Sequence, residues 1–120
     1  MDDEESVRSI GRLCCSEIGC TAVTASSAQE AIRLFTKGRM EGAPFDLLIL
    51  DLTVNGGPGG LYVLKELLAV DPNIKAIVSS GYCDDPVMAE PEKFGFKGKL
   101  PKPYLTDELE AVITAAIRKK

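Results

Sequence analysis

Histidine and tryptophan are missing from this 120-residue chain, and aromatic residues make up only 6% of it. Without histidine, a zinc site would have to be built from thiolates or carboxylates alone. The four cysteines (Cys14, Cys15, Cys20, Cys83) contain no CxxC pair to start one. They read instead as small apolar fillers, the usual state of thiols in a reducing cytoplasm. No apolar run approaches the length of a membrane-spanning helix. The opening "MDDEES" lacks the basic stretch with which a secretory signal begins. Positive charge is not in excess either. The 14 Lys and Arg against 18 Asp and Glu leave a net −4, which disfavours binding to a nucleic-acid backbone.

What is present is the composition of one globular domain, 45% hydrophobic and 27% charged. Val7, Ile10, Leu13, Cys14 and Ile18 recur at helical spacing over 4–18, behind four acidic residues, and Gly19 closes that helix. A short β-rich run, 21–25, follows. Ser26 or Ser27 then caps a helix over 28–37, with Glu30 near the capping-box position and Gly38, Gly42 and Pro44 ending it. The continuous apolar run 45–50 predicts a strand covered on both faces. A third helix spans 60–70, with Leu61, Leu64, Leu67 and Leu68 on one stripe, and 75–80 is another apolar strand. Asp85 before Pro86 starts a fourth helix over 86–94, disturbed by Pro91. A weaker strand, 96–100, precedes a last amphipathic helix, capped by Thr106, with acids first and lysines last. Helices alternating with strands predict a parallel sheet with helices on both faces, an α/β fold.

In such sheets, ligands bind at the carboxyl ends of strands. Asp51 ends the "LLIL" strand, Ser79 and Ser80 end the next, and Lys102 follows the last. Asp2 and Asp3 stand where a first strand would finish. Three converging carboxylates repel one another unless a hard cation neutralises them, and Mg²⁺ suits all-oxygen ligands. A lysine and a hydroxyl beside them supply what a phosphoryl group needs. A carboxylate can itself be the nucleophile. Glycines 56, 57, 59 and 60 leave the approach to Asp51 open.

At "DDEES", "LLILDLT", "IVSSGY" and "KPY", in that order and spacing along essentially the whole chain, the sequence resembles the receiver domain of two-component response regulators. The "SSGY" and "KPY" segments look most like receivers fused to hybrid sensor histidine kinases. The resemblance implies a flavodoxin-like doubly wound sheet of strand order 2-1-3-4-5. It implies that Asp51 accepts a phosphoryl group from a phosphohistidine, with Mg²⁺ or another divalent cation as cofactor. Asp3 and Asp51 would bind the metal directly, Thr53 through its backbone carbonyl and Asp2 through water. Ser80, with Ser79 as the alternative, would be the hydroxyl that reads phosphorylation. Lys102 would pair with phosphoryl oxygens, and the Lys102–Pro103 bond would be cis. Lacking histidine, the chain needs a separate donor, a histidine kinase or a histidine phosphotransfer domain. The expected setting is cytoplasmic, away from membrane and nucleic acid.

Three features depart from the family's pattern. No strand precedes the acidic pair, so a single receiver domain over 1–120 is expected to be N-terminally incomplete, with a partner chain, a homodimer or a segment swap as other ways to fill the sheet. Asn55 stands where a proline is usual. Lys99 stands where an aromatic residue usually swings with phosphorylation. These features suit a second reading, a degenerate receiver that acts as a phosphorylation-independent interaction module. A third, an aspartate-nucleophile phosphohydrolase, expects DxD at the nucleophile, whereas Thr53 occupies the second position after Asp51. A flavin-binding relative of the same topology is disfavoured by the absent phosphate loop and the absent tryptophan.

Overall fold

The computed structural model describes residues 1–54, 57–82 and 84–118, so what was expected of Asn55, Gly56, Cys83 and the two terminal lysines lies outside the described residues. Helix α1 (Glu5–Glu17) begins where the Glu4 amide donates to Asp2 Oδ1 at 3.0 Å. It ends at Gly19, whose φ of +81° turns the chain away. Its inward stripe runs through Gly11, Cys14, Cys15 and Ile18, while Ile10 and Leu13 of the predicted stripe are exposed. Cys14 and Cys15 are buried fillers as expected, but Cys20 is exposed.

Ser27 caps α2 (Ala28–Met40), accepting the Glu30 amide, and the Glu30 carboxylate takes the Ser26 amide in return. The helix runs past its predicted end because Gly38 is a packing position rather than a stop. A Cβ there would lie 2.9 Å from the Ala43 carbonyl oxygen and 3.3 Å from the Phe45 ring. Gly42, at φ +76°, makes the turn instead.

Three parallel strands, β1 (Leu48–Asp51), β2 (Ala76–Ser80) and β3 (Gly98–Pro101), lie in the order β1-β2-β3, with Asp51 opposite Ser79 and Ser80 opposite Pro101. Between them run α3 (Gly60–Val70) and α4 (Pro86–Ala89), the latter capped by Asp85, whose Oδ1 accepts the Val87 amide. The single helix expected over 86–94 is broken after Ala89, because Pro91 has no N–H to continue the ladder, and a 3₁₀ turn (Pro91–Phe94) completes the span. Helix α5 is Thr106–Arg118. Thr106 is its first residue rather than its cap, and the Leu105 amide is taken by the Glu108 carboxylate.

Residues 21–25 were expected as a strand and are not one. Toward β1 they make one backbone contact: the Asp2 amide donates to the Ala25 carbonyl at 3.0 Å. On the other side Met1 bonds β1, its amino group donating to the Ile49 carbonyl at 2.7 Å and its carbonyl accepting the Asp51 amide at 2.9 Å. One such bond to 21–25 does not make a ladder. Met1 and Asp2 nonetheless lie between 21–25 and β1, which reproduces the flavodoxin-like order. The effect on burial is direct. All five residues of β2 are buried, whereas Leu48 and Ile49 of β1 are half-exposed and only Leu50 and Asp51 are buried.

Alternation along β2 divides the core. Ala76 and Val78 face Phe35, Val63, Leu64, Leu67 and Phe96 on one side of the sheet, and Ile77 faces Cys14, Leu100, Leu109 and Ile113 on the other. Helices thus cover both faces, and the strand ends at Asp51, Ser80 and Pro101 open at one edge of the molecule.

Candidate functional site

Backbone pairing fixes the acidic cluster. Asp51 is held by the Met1 carbonyl as it leaves β1, and Asp2 by the Ala25 carbonyl, with the Arg8 guanidinium donating to the Asp2 carbonyl at 2.9 Å. Asp2 (6% exposed) and Asp51 (4%) are buried, and Asp3 is half-buried. A carboxylate oxygen from each of the three lies within 4.8 Å of the others. Such a set would be self-repelling without a cation, and Lys102 supplies one. Its Nζ stands 2.5 Å from Asp2 Oδ2 and 3.2 Å from Asp51 Oδ1. The Lys102 amide, donating to the Ser80 carbonyl at 2.9 Å, anchors the segment beyond β3, and the Lys102–Pro103 peptide is cis.

The charges perturb one another. Burial pushes the Asp51 carboxyl above its ordinary range, the Asp2 charge adds to that, and Lys102 and the Thr53 amide offset it in part. Burial pulls the Lys102 ammonium down, but its hydrogen bond to Asp2 and the charges of Asp51 and Asp2 outweigh it, and the net direction is up. The ammonium therefore stays charged at neutral pH.

Each predicted site residue has a definite place. Asp2, Asp3, Asp51 and Lys102 converge. Thr53 is exposed just past Asp51, its amide 3.4 Å from Asp51 Oδ1. The buried Ser79 hydroxyl donates to the Leu100 carbonyl at 2.9 Å, which commits it to the neighbouring strand. The buried Ser80 Oγ accepts the Tyr82 amide at 3.0 Å, one residue further toward the open edge. Lys99 is exposed on β3. Two glycines do more than leave space. A Cβ on Gly59 would collide with the Leu52 carbonyl, and one on Gly60 would lie 2.8 Å from the Asp51 carbonyl oxygen, so the start of α3 seats directly on the chain that carries Asp51. The sequence reading missed Arg8 and the Met1 carbonyl. Arg8, one turn into a helix that follows an acidic pair, was the legible signal of the two.

The donor set is all oxygen, two of its three carboxylates are buried, and the groups are close enough to share one ion. That is the chemistry of a hard divalent cation. No helix among the described residues is long and apolar enough to cross a membrane.

Comparison with known proteins agrees with this geometry. Residues 1–114 match the family model described as "Response regulator receiver domain". The sensor kinase CckA of Brucella abortus (strain 2308) is 29% identical across the full chain, which spans 12% of that kinase. Sporulation initiation phosphotransferase F of Bacillus subtilis (strain 168) is 25% identical over 94% of the chain and 86% of the relative. Among solved structures, a response regulator receiver domain from Clostridium thermocellum superposes with a TM-score of 0.84 at 27% identity, covering 97% of this chain and 89% of that one. The response regulator TrrA of Thermotoga maritima, solved in complex with Mg²⁺-BeF, superposes with a TM-score of 0.79 at 26% identity, covering 94% and 91%.

Proposed function

The chain belongs to the response regulator receiver domain family, and on that premise we propose that Asp51 accepts a phosphoryl group from a phosphohistidine on a partner. One observation carries the reading: a buried strand-end carboxylate, with its pKa raised, stands 3.2 Å from a lysine ammonium inside a cluster of acids. In the reaction, an Asp51 carboxylate oxygen attacks phosphorus, an acyl phosphate forms, the P–N bond breaks, and the imidazole leaves with the bonding pair. Lys102 turns its ammonium from the carboxylates toward the incoming phosphoryl oxygens. The Ser80 Oγ, which accepts the Tyr82 amide, donates its own O–H to a phosphoryl oxygen, and that new hydrogen bond biases the surface around it. Asp3 and Asp51, with the Thr53 carbonyl, would hold Mg²⁺ directly, and Asp2 would hold it through water. The ion, when bound, supplies positive charge that screens the phosphoryl oxygens. With no histidine in the chain, the donor is a histidine kinase or a histidine phosphotransfer domain.

A second reading, an interaction module indifferent to phosphorylation, is favoured by Lys99, exposed on β3 where the family carries an aromatic residue. Intact-mass analysis after incubation with Mg²⁺ and acetyl phosphate separates the two. Gain of one phosphoryl group in this chain and none in Asp51→Asn is the expected result. No gain in either would leave the interaction module.

A further inference from the structure

The turn that ends α1 brings two cysteines together, away from the acidic site. The Cys20 amide donates to the Cys15 carbonyl at 2.8 Å, the Gly19 amide donates to the Ser16 carbonyl at 3.1 Å, and Gly19 lies at φ +81°. This is a Schellman motif, whose side-chain contact joins the residue after the left-handed glycine to the residue that opens the last helical turn. Here those two residues are Cys20 and Cys15. Backbone bond lengths added to that hydrogen bond keep their Cα atoms at most about 7 Å apart, no farther than the limit beyond which a disulfide cannot form. Both thiols are free, Cys15 being buried and Cys20 exposed. Burial pushes the Cys15 thiol up, and the Cys20 and then the Cys14 thiol act on it in the same direction. Cys14 points instead toward α5, its sulfur 3.4 Å from the Thr106 hydroxyl oxygen, whose proton goes to the Glu17 carboxylate at 2.9 Å.

We propose that Cys15 and Cys20 are a thiol modification site that closes to a disulfide when the chain meets hydrogen peroxide. The exposed Cys20 thiolate attacks the peroxide and its O–O bond breaks. This gives Cys20 sulfenic acid and releases hydroxide, which takes up a proton as water. The Cys15 thiol then attacks that sulfur, its proton passes to the departing oxygen as the S–O bond breaks, and a second water leaves. Two thiols are oxidised by two electrons, and one peroxide is reduced. A dithiol reductant reverses the change by exchange.

The test is non-reducing intact mass of the full chain after brief treatment with hydrogen peroxide, followed by cleavage after Glu17, which separates Cys20 from Cys14 and Cys15. The expected result is loss of two hydrogens, restored by dithiothreitol, with the peptides on either side of Glu17 linked. Cys20→Ser, at an exposed position, abolishes the loss, as does Cys15→Ala. Cys14→Ala and Cys83→Ser retain it. Thermal melts of each variant identify any that fail to fold. A bridge that survives Cys20→Ser or vanishes in a folded Cys14→Ala, or oxygen addition without hydrogen loss, would overturn the assignment.

Discussion

Lys102 and Asp2, one hundred residues apart in the chain, meet ammonium to carboxylate at 2.5 Å in a part-buried contact. The same ammonium reaches Asp51, so two buried carboxylates share the single positive charge of one flexible side chain. Replacing Lys102 by Met keeps most of the stem and removes the charge. Asp2 and Asp51 are then left buried and mutually repelling, and the expected cost is about 3 kcal/mol, as for other buried pairs that lose one partner. Urea denaturation in the presence of a chelator reads that loss, and added Mg²⁺ should recover part of it.

Asp51 predicts a pH dependence of opposite sign to the usual carboxylate. Its folded-state pKa is raised, first by burial and then by Asp2, from an ordinary value of 3.8. Below that value the folded and unfolded chains are both protonated there, and the residue costs nothing. As pH rises through the window above it, the unfolded chain releases the proton first and the folded state loses stability. Asp51→Asn removes this term and leaves Lys102 its Asp2 partner. In metal-free buffer the variant should melt higher than the parent at pH 7, and the gap should close as the pH falls below 4. A gap that widened toward acid would contradict the sign.

Mg²⁺ should stabilise the folded chain by mass action, by about 2.7 kcal/mol at a hundredfold excess over Kd. Asp3→Asn removes one of the three converging carboxylates. The melting-temperature shift on adding Mg²⁺ should therefore shrink by more than half in the variant, while monovalent salt at equal ionic strength should move neither protein appreciably.

How much of this was legible depended on whether the signal was local. The Ser27–Glu30 box, Asp85 before Pro86 and the glycine at 19 are short-range devices, and each stands where the sequence put it. The apolar runs before Asp51 and Ser80 marked β1 and β2 for the same reason. Residues 21–25 failed because strand formation is not local. Their β-prone composition is real, but a single backbone hydrogen bond, from Asp2 to Ala25, ties them to the chain beside them. The site was legible as a set of strand ends, since parallel strands must open on one edge. What could not be read was how Lys102 divides itself between Asp2 and Asp51, or that Ser79 spends its hydroxyl on the next strand, because both depend on register. Gly59 was misread for a related reason: a glycine that admits a ligand and one that admits its own backbone look alike in sequence.

That distinction is itself testable. A Cβ on Gly59 would strike the Leu52 carbonyl, which belongs to backbone and cannot rotate away, whereas a Cβ on Gly57 would meet nothing within 4 Å. Neither residue has a positive φ, so the difference is one of space rather than conformation. Gly59→Ala should therefore cost about 2 kcal/mol or more, in the range of forced overpacking, by displacing the start of α3 from the Asp51–Leu52 backbone. Gly57→Ala should fall within about 0.5 kcal/mol of the parent. Paired urea titrations give both values. The acetyl phosphate reaction followed on the same two proteins should be slowed only in Gly59→Ala, because only that substitution shifts the strand end carrying Asp51. Equal losses in the two variants would instead mean that the loop's flexibility, and not its close approach to Leu52, is what the glycines provide.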